Sequence, residues 1–162
     1  MRVLAIDPGY DRLGVAVMEY KNGKEFLAFS TCIMTDKNSP LSDRLVTVGD
    51  TISALIKEHS PDTIAIETLF FNKNITTAIG VAQARGIIIY LAKTAGCTLY
   101  EFGPQEIKVA VTGYGNSDKR AVYDMVTRLV PNVPTNAHDD EYDAIAVGIT
   151  CLAQHGRSGA QR

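Results

Sequence analysis

Four carboxylates in this chain occupy positions where a carboxylate is costly. Asp7 closes the apolar run VLAI and is followed at once by Pro8-Gly9, and Glu67 closes the run TIAI. Both read as the carboxyl ends of buried strands. Asp140 and Asp143 are three residues apart in DDEYDAIAVGI, a spacing that sets them side by side on one helix face. If that helix packs across the end of the sheet, the four acids meet in a partly desolvated cleft. There they repel one another and their pKa values rise, unless a divalent cation neutralises them. All four would be hard oxygen ligands, a set that favours Mg²⁺ or Mn²⁺ and leaves coordination sites for water and phosphate oxygens. The chemistry this predicts is phosphodiester hydrolysis.

Each acid also has a purely structural reading. Asp7 before Pro8-Gly9 could simply organise a turn. Asp139, Asp140 and Glu141 could be first-turn acids favoured by the helix dipole. Which acid of that cluster reaches a metal stays open, and His138 beside it is a further candidate ligand or proton carrier. Asp143 and Glu67 are harder to explain this way, because an unpaired carboxylate against AIAVGI or TIAI is expensive.

The elements that would position these residues can be read from hydrophobic periodicity. LGVAVMEY and EFLAFSTCIM are strands joined by KNGK, where Asn22-Gly23 suits a type I′ hairpin turn. With RVLAID they make three antiparallel strands. Ser39 as N-cap and Pro40 at the first helical position then open a helix ending near His59, with Leu41, Leu45, Val48, Ile52 and Leu55 recurring every three or four residues. DTIAIE follows, and a right-handed crossover allows it to pair in parallel with the first strand, setting Asp7 beside Glu67. A second helix runs from about Asn74 to Ala95, with Ile75, Ile79, Ala82, Gly86 and Ile89 on one stripe and small residues that permit close approach of another helix. The strand CTLYEF, a helix starting at Pro104, the flexible link TGYGNS, a helix capped by Ser117 and the final helix DDEYDAIAVGITCLAQ complete an α/β layered fold.

A chain of 162 residues is long enough to bury about 70% of its unfolded surface, and residues 1–156 are expected to form one domain with a frayed tail at 157–162. It opens directly on RVLAID without a basic leader, and its longest apolar run, GIIIYLA, is too short to span a bilayer. The expectation is a cytoplasmic protein without a membrane partner. Cys32, Cys97 and Cys151 lie far apart with no CxxC pairing, so reduced packing residues are expected. The net charge of -2 provides no basic footprint for nucleic acid.

IDPG with LGVAV, AIE followed by LFFNKN, then QARG, IKVAVTGYGNSDK and DDEYDAIAV stand in the order of the motifs of the RuvC family of Holliday junction resolvases. The chain resembles that family over nearly its whole length. The resemblance implies an RNase H-like three-layer fold, with a five-stranded mixed sheet flanked by helices. It implies a structure-selective endodeoxyribonuclease that resolves four-way DNA junctions by paired, two-metal-ion hydrolysis during recombination and repair. On this resemblance Asp7, Glu67, Asp140 and Asp143 are the catalytic acids and hold two Mg²⁺, with Mn²⁺ able to substitute. Phe70 would stack on bases opened at the junction centre, and Lys108 and Lys119 would contact the scissile backbone. Phe70 and Phe71 could instead be core residues, and Lys73, Arg85 and Arg120 ordinary solvated charges. A homodimer and a branch-migration helicase complex of the RuvA and RuvB type are the implied partners, and the Asn74–Ala95 helix is the candidate dimer interface.

Other readings stand beside it. DPGYDRLGVAV is also similar to the first phosphate loop of actin-like and sugar-kinase-like nucleotide-binding modules, although those need two comparable lobes and this length supplies one. A different RNase H-fold nuclease, or a junction-binding protein without cleavage, would use the same scaffold.

Overall fold

The computed structural model describes residues 1–68 and 75–156. Phe70, Phe71, Lys73 and the tail at 157–162 lie outside the described residues. Five strands form one sheet in the order β3-β2-β1-β4-β5. They are β1 (Arg2–Asp7), β2 (Arg12–Lys21), β3 (Lys24–Met34), β4 (Thr63–Glu67) and β5 (Thr98–Phe102). The first three are antiparallel, while β4 runs parallel to both β1 and β5. The hairpin turn is as expected, with Asn22 at φ 52° and Gly23 at φ 78°, the two positive values a type I′ turn demands.

Alternation along β1 and β4 divides the core into two halves. Leu4, Ile6, Ile64 and Ile66 face the side covered by α1 (Leu41–His59) and α2 (Ile75–Thr94). Val3, Ala5 and Ala65 face the side covered by α3 (Pro104–Thr112), α4 (Lys119–Leu129) and α5 (Asp139–His155). Asp7 and Glu67 continue the second series by the period of two. Their side chains therefore fall on the face where α5 lies.

Small residues let α5 approach the sheet closely. A Cβ on Gly14 of β2 would fall 1.8 Å from the backbone oxygen of Asp140, and one on Gly148 would fall 2.5 Å from Cγ of Met18. The first of these contacts is backbone against backbone and locks the helix start over the end of β1.

Several expectations are corrected. Pro40, with φ -54° and ψ 147°, is itself the N-cap of α1 rather than its first helical residue, and Ser39 lies outside the helix. The N-cap of α4 is Asp118, whose carboxylate accepts the Ala121 amide at 2.8 Å. Ser117 cannot do this because its hydroxyl bonds the Tyr114 carbonyl at 2.8 Å and the Thr112 hydroxyl at 2.6 Å. Those same bonds tie up the TGYGNS link, and Gly113 at φ 81° terminates α3. On α2 the buried line is Gly80, Ala84, Ile88 and Ala92, whereas Ile79, Ala82 and Gly86 of the expected stripe point outward. A helix apolar nearly all round has no periodicity that can select its inner face.

Cys97 and Cys151 are buried free thiols, in keeping with the packing role expected of them, and Cys32 is half-buried. Among the described residues, no helix is long and apolar enough to cross a membrane.

Candidate active site

The parallel register pairs Ile6 with Ile66, so Asp7 and Glu67 follow as neighbours at the carboxyl ends of the two central strands. From above, the first two turns of α5 lower Asp140 and Asp143 toward them. Asp7 is pushed up to about 8, first by burial and then by the charges of Glu67, Asp143 and Asp140. Burial followed by Asp143 raises Glu67 as well, against the opposing pull of its hydrogen bond with Asp7 and of Lys119 and Lys108. The hydrogen bond between them favours the protonated form of Asp7 and the ionised form of Glu67. Burial also raises Asp143, opposed by Lys119.

The acidic cluster at the start of α5 sorts itself by helix geometry. Asp139 is 80% exposed in its side chain, against 18% for Asp140 and 31% for Asp143. Glu141 is buried and structural, with one oxygen accepting from the Ser30 hydroxyl at 3.0 Å and the other from the His138 amide at 3.4 Å. His138 is the exposed N-cap. Asp140 and Asp143 are therefore the members of the cluster that face inward.

Cations attend both of them. Lys119 Nζ lies 3.1 Å from Asp143 Oδ2 and 3.8 Å from Asp139 Oδ2. Burial alone would weaken the Lys119 charge, but Asp143, with help from Asp139 and Asp140, more than offsets it and raises the amine. Arg12 Nε lies 3.2 Å from Asp140 Oδ2, an oxygen that the Cys32 thiol also approaches at 3.9 Å. Lys108 and Lys119 line a cleft of about 240 Å³ with Glu67 and Asp143.

As they stand, no three His, Cys, Asp or Glu side chains among the described residues are grouped tightly enough to close on one ion. The donor chemistry nonetheless fits a hard divalent cation. Asp7, Glu67, Asp140 and Asp143 offer only oxygen and stand near enough to one another that burial and like charge favour the neutral form of Asp7. A cation that displaced the Asp7 proton and the attending side chains would remove a repulsion on the order of 4 kcal/mol per close pair at an effective dielectric of about 20.

Residues 3–151 match the family model described as crossover junction endodeoxyribonuclease RuvC. The chain belongs to the RuvC family. The crossover junction endodeoxyribonuclease RuvC of Thermosipho melanesiensis is 42% identical over 157 residues, covering 97% of this chain and 99% of that one. Its counterpart in Desulfitobacterium hafniense is 40% identical over 149 residues, covering 92% of this chain and 90% of that one. Thermus thermophilus RuvC in complex with Holliday junction substrate aligns with a TM-score of 0.89 at 28% identity, covering 98% of this chain and 96% of that one.

The fold is that of RuvC and other RNase H-like resolvases, and membership of the RuvC family displaces the nucleotide-binding module as a reading. Of the residues singled out in the sequence, Asp7, Glu67, Asp140, Asp143, Lys108 and Lys119 come together, and Phe70 falls outside the described residues. Two cations escape a reading of the sequence. Arg44 is buried on α1, pairs with Asp11, and donates to the Thr35 hydroxyl at 2.9 Å and the Tyr10 carbonyl at 3.3 Å, clamping the loop after Asp7. A signal for it existed, since residue 44 falls in step with Val48, Ile52 and Leu55 on the inner face of α1. Arg12 had none, because only the packing of α5 on β2 brings it to Asp140.

Proposed function

We propose that this chain is a crossover junction endodeoxyribonuclease that hydrolyses phosphodiesters of four-way DNA junctions during recombination and repair, with residues 1–156 as a single nuclease domain. The observation that carries the reading is the convergence of Asp7, Glu67, Asp140 and Asp143 on one face at the carboxyl ends of β1 and β4. Those four residues would hold two Mg²⁺, or Mn²⁺ in its place. Bound there, the ions supply an activated water and charge stabilisation at the leaving oxygen.

The chain's own residues do the rest. Asp7 gives up its proton before it can serve as a full ligand, so acid pH suppresses cleavage. Lys119, held cationic by its acidic neighbours, and Lys108 across the same cleft hold the scissile phosphate as point charges. Phe70, just beyond Glu67, stacks on an opened base. The products carry 5′-phosphate and 3′-hydroxyl ends.

A four-way junction offers two equivalent strands, which suits a two-fold homodimer. An open, mainly apolar groove between α1 and α2 supports this, with Val46 59% and Tyr90 67% exposed along it. A branch-migration helicase complex of the RuvA and RuvB type as a further partner rests on the resemblance alone. The test is a synthetic four-way junction incubated with purified protein across a Mg²⁺ series. Symmetric paired nicks that require the cation are expected, and intact strands at every concentration would overturn the reading.

A further inference from the structure

The acids have two flanks, and Lys108 and Lys119 occupy only one of them. Beyond Asp7 and Asp140, on the side away from Lys108, a groove of about 450 Å³ runs past the loop from Pro8 to Arg12 toward Lys37, with Thr77 of α2 on its wall. Asp7, Asp11 and Asp140 are its acids, and Arg12 and Lys37 its cations.

The charges do not simply cancel. Asp11 is answered from behind by buried Arg44, which also lies over the Tyr10 ring at 4.8 Å from its centroid. Asp7 and Asp140 are proposed metal ligands. That leaves Arg12 and Lys37 facing the open groove. Arg12 has a side chain 54% exposed and reaches Asp140 through Nε. Lys37 is exposed and has no carboxylate within ion-pair distance among the described residues. The rim is well anchored, because the Tyr10 ring fills the space at Gly80 where a Cβ would come within 2.6 Å. Two outward cations on an anchored rim, continuous with a phosphodiester-cleaving centre, match a polyanionic backbone.

We propose that Arg12 and Lys37 form a second phosphate-binding site, which holds the DNA strand on the opposite side of the catalytic acids from Lys108 and Lys119. This rests on the nuclease reading and extends it. When a divalent cation engages Asp140, the Arg12 guanidinium is freed toward the groove, where its planar fork accepts a phosphate in two-point contact.

The experiment measures four-way junction binding by fluorescence anisotropy over a range of salt, in an Asp7→Asn background with Mg²⁺ present so that the DNA stays intact. Arg12→Gln and Lys37→Gln are each expected to weaken binding and reduce the slope of log affinity against log salt by about 0.9, and the double variant by about twice that. Lys24→Gln, at the far end of the β2–β3 hairpin, removes the same charge and is expected to leave the slope unchanged. Lys37 lies on the surface, so its variant stays informative even where Arg12→Gln disturbs Asp140. A slope unaltered in Lys37→Gln, or lowered equally by Lys24→Gln, overturns the site while the nuclease reading stands. A background protein that binds no junction at all, together with a native chain that cuts none, removes both.

Discussion

A carboxyl group that keeps its proton to about 8 inside the fold but would lose it near 3.8 in the unfolded chain makes stability depend on pH. For Asp7 the folded pKa is the raised one, so its contribution is fully present below 3.8 and is lost as pH rises through about 8. In chelator, the melting temperature is therefore expected to fall between pH 4 and pH 8. Asp7→Asn, uncharged throughout, should melt roughly 5 °C or more above the parent at pH 8, with the gap closing toward pH 4 or on addition of Mg²⁺. The same variant should lose cleavage. Calorimetry at the two pH values checks the first expectation, and equal melting temperatures at both would mean that Asp7 is not buried among like charges. The identities of Asp7 and Glu67 were legible because each ends an apolar run. The sorting of Asp139, Asp140 and Glu141 was not, since it depends on where Ser30, Arg12 and Lys119 stand around the helix.

At the scale of elements, the site depends on how closely α5 lies on the sheet. Gly14 opposes Asp7 in the β1–β2 register and touches the helix backbone at Asp140. A methyl group there has no flexible neighbour to displace, because the obstacle 1.8 Å away is a main-chain oxygen. Gly14→Ala is expected to shift the first turn of α5, cost about 1–3 kcal/mol and lower junction cleavage at least tenfold. Gly148→Ala instead meets Cγ of fully buried Met18 at 2.5 Å, a core side chain away from the acids, so its cost should fall on stability more than on cleavage. Thermal melts and the nicking assay on the two variants make the comparison; a Gly14→Ala protein that melts and cuts like the parent would show the seating to be looser than described. The hairpin and, on α1, the line of Val48, Ile52 and Leu55 were readable from local pattern, whereas Leu41 of the expected stripe stands exposed. The inner face of α2 and the caps of α1 and α4 were not, because neighbouring groups decided them.

For the whole molecule, the proposed cleavage of two strands requires two sites. The groove between α1 and α2 is open and mainly apolar, with Tyr90 and Val46 standing out into solvent. A carboxylate buried in such a contact is unpaired and costly. The double variant Val46→Glu with Tyr90→Glu is expected to sediment as a monomer while the parent sediments as a dimer, and its nicks should lose their pairing between opposite strands. A parent that sediments as a monomer at all concentrations would remove this face as a dimer interface.

By itself, the sequence determined the types of the catalytic candidates, the strands that end in them and the order of the layers, because burial and backbone periodicity act over a few neighbouring residues. Only the tertiary structure decided which acids face one another, which cations attend them and which side of α2 is left outside. Those outcomes depend on distances between residues far apart in the chain, such as Arg12 and Asp140 or Gly14 and α5, and no local pattern encodes a distance across the fold.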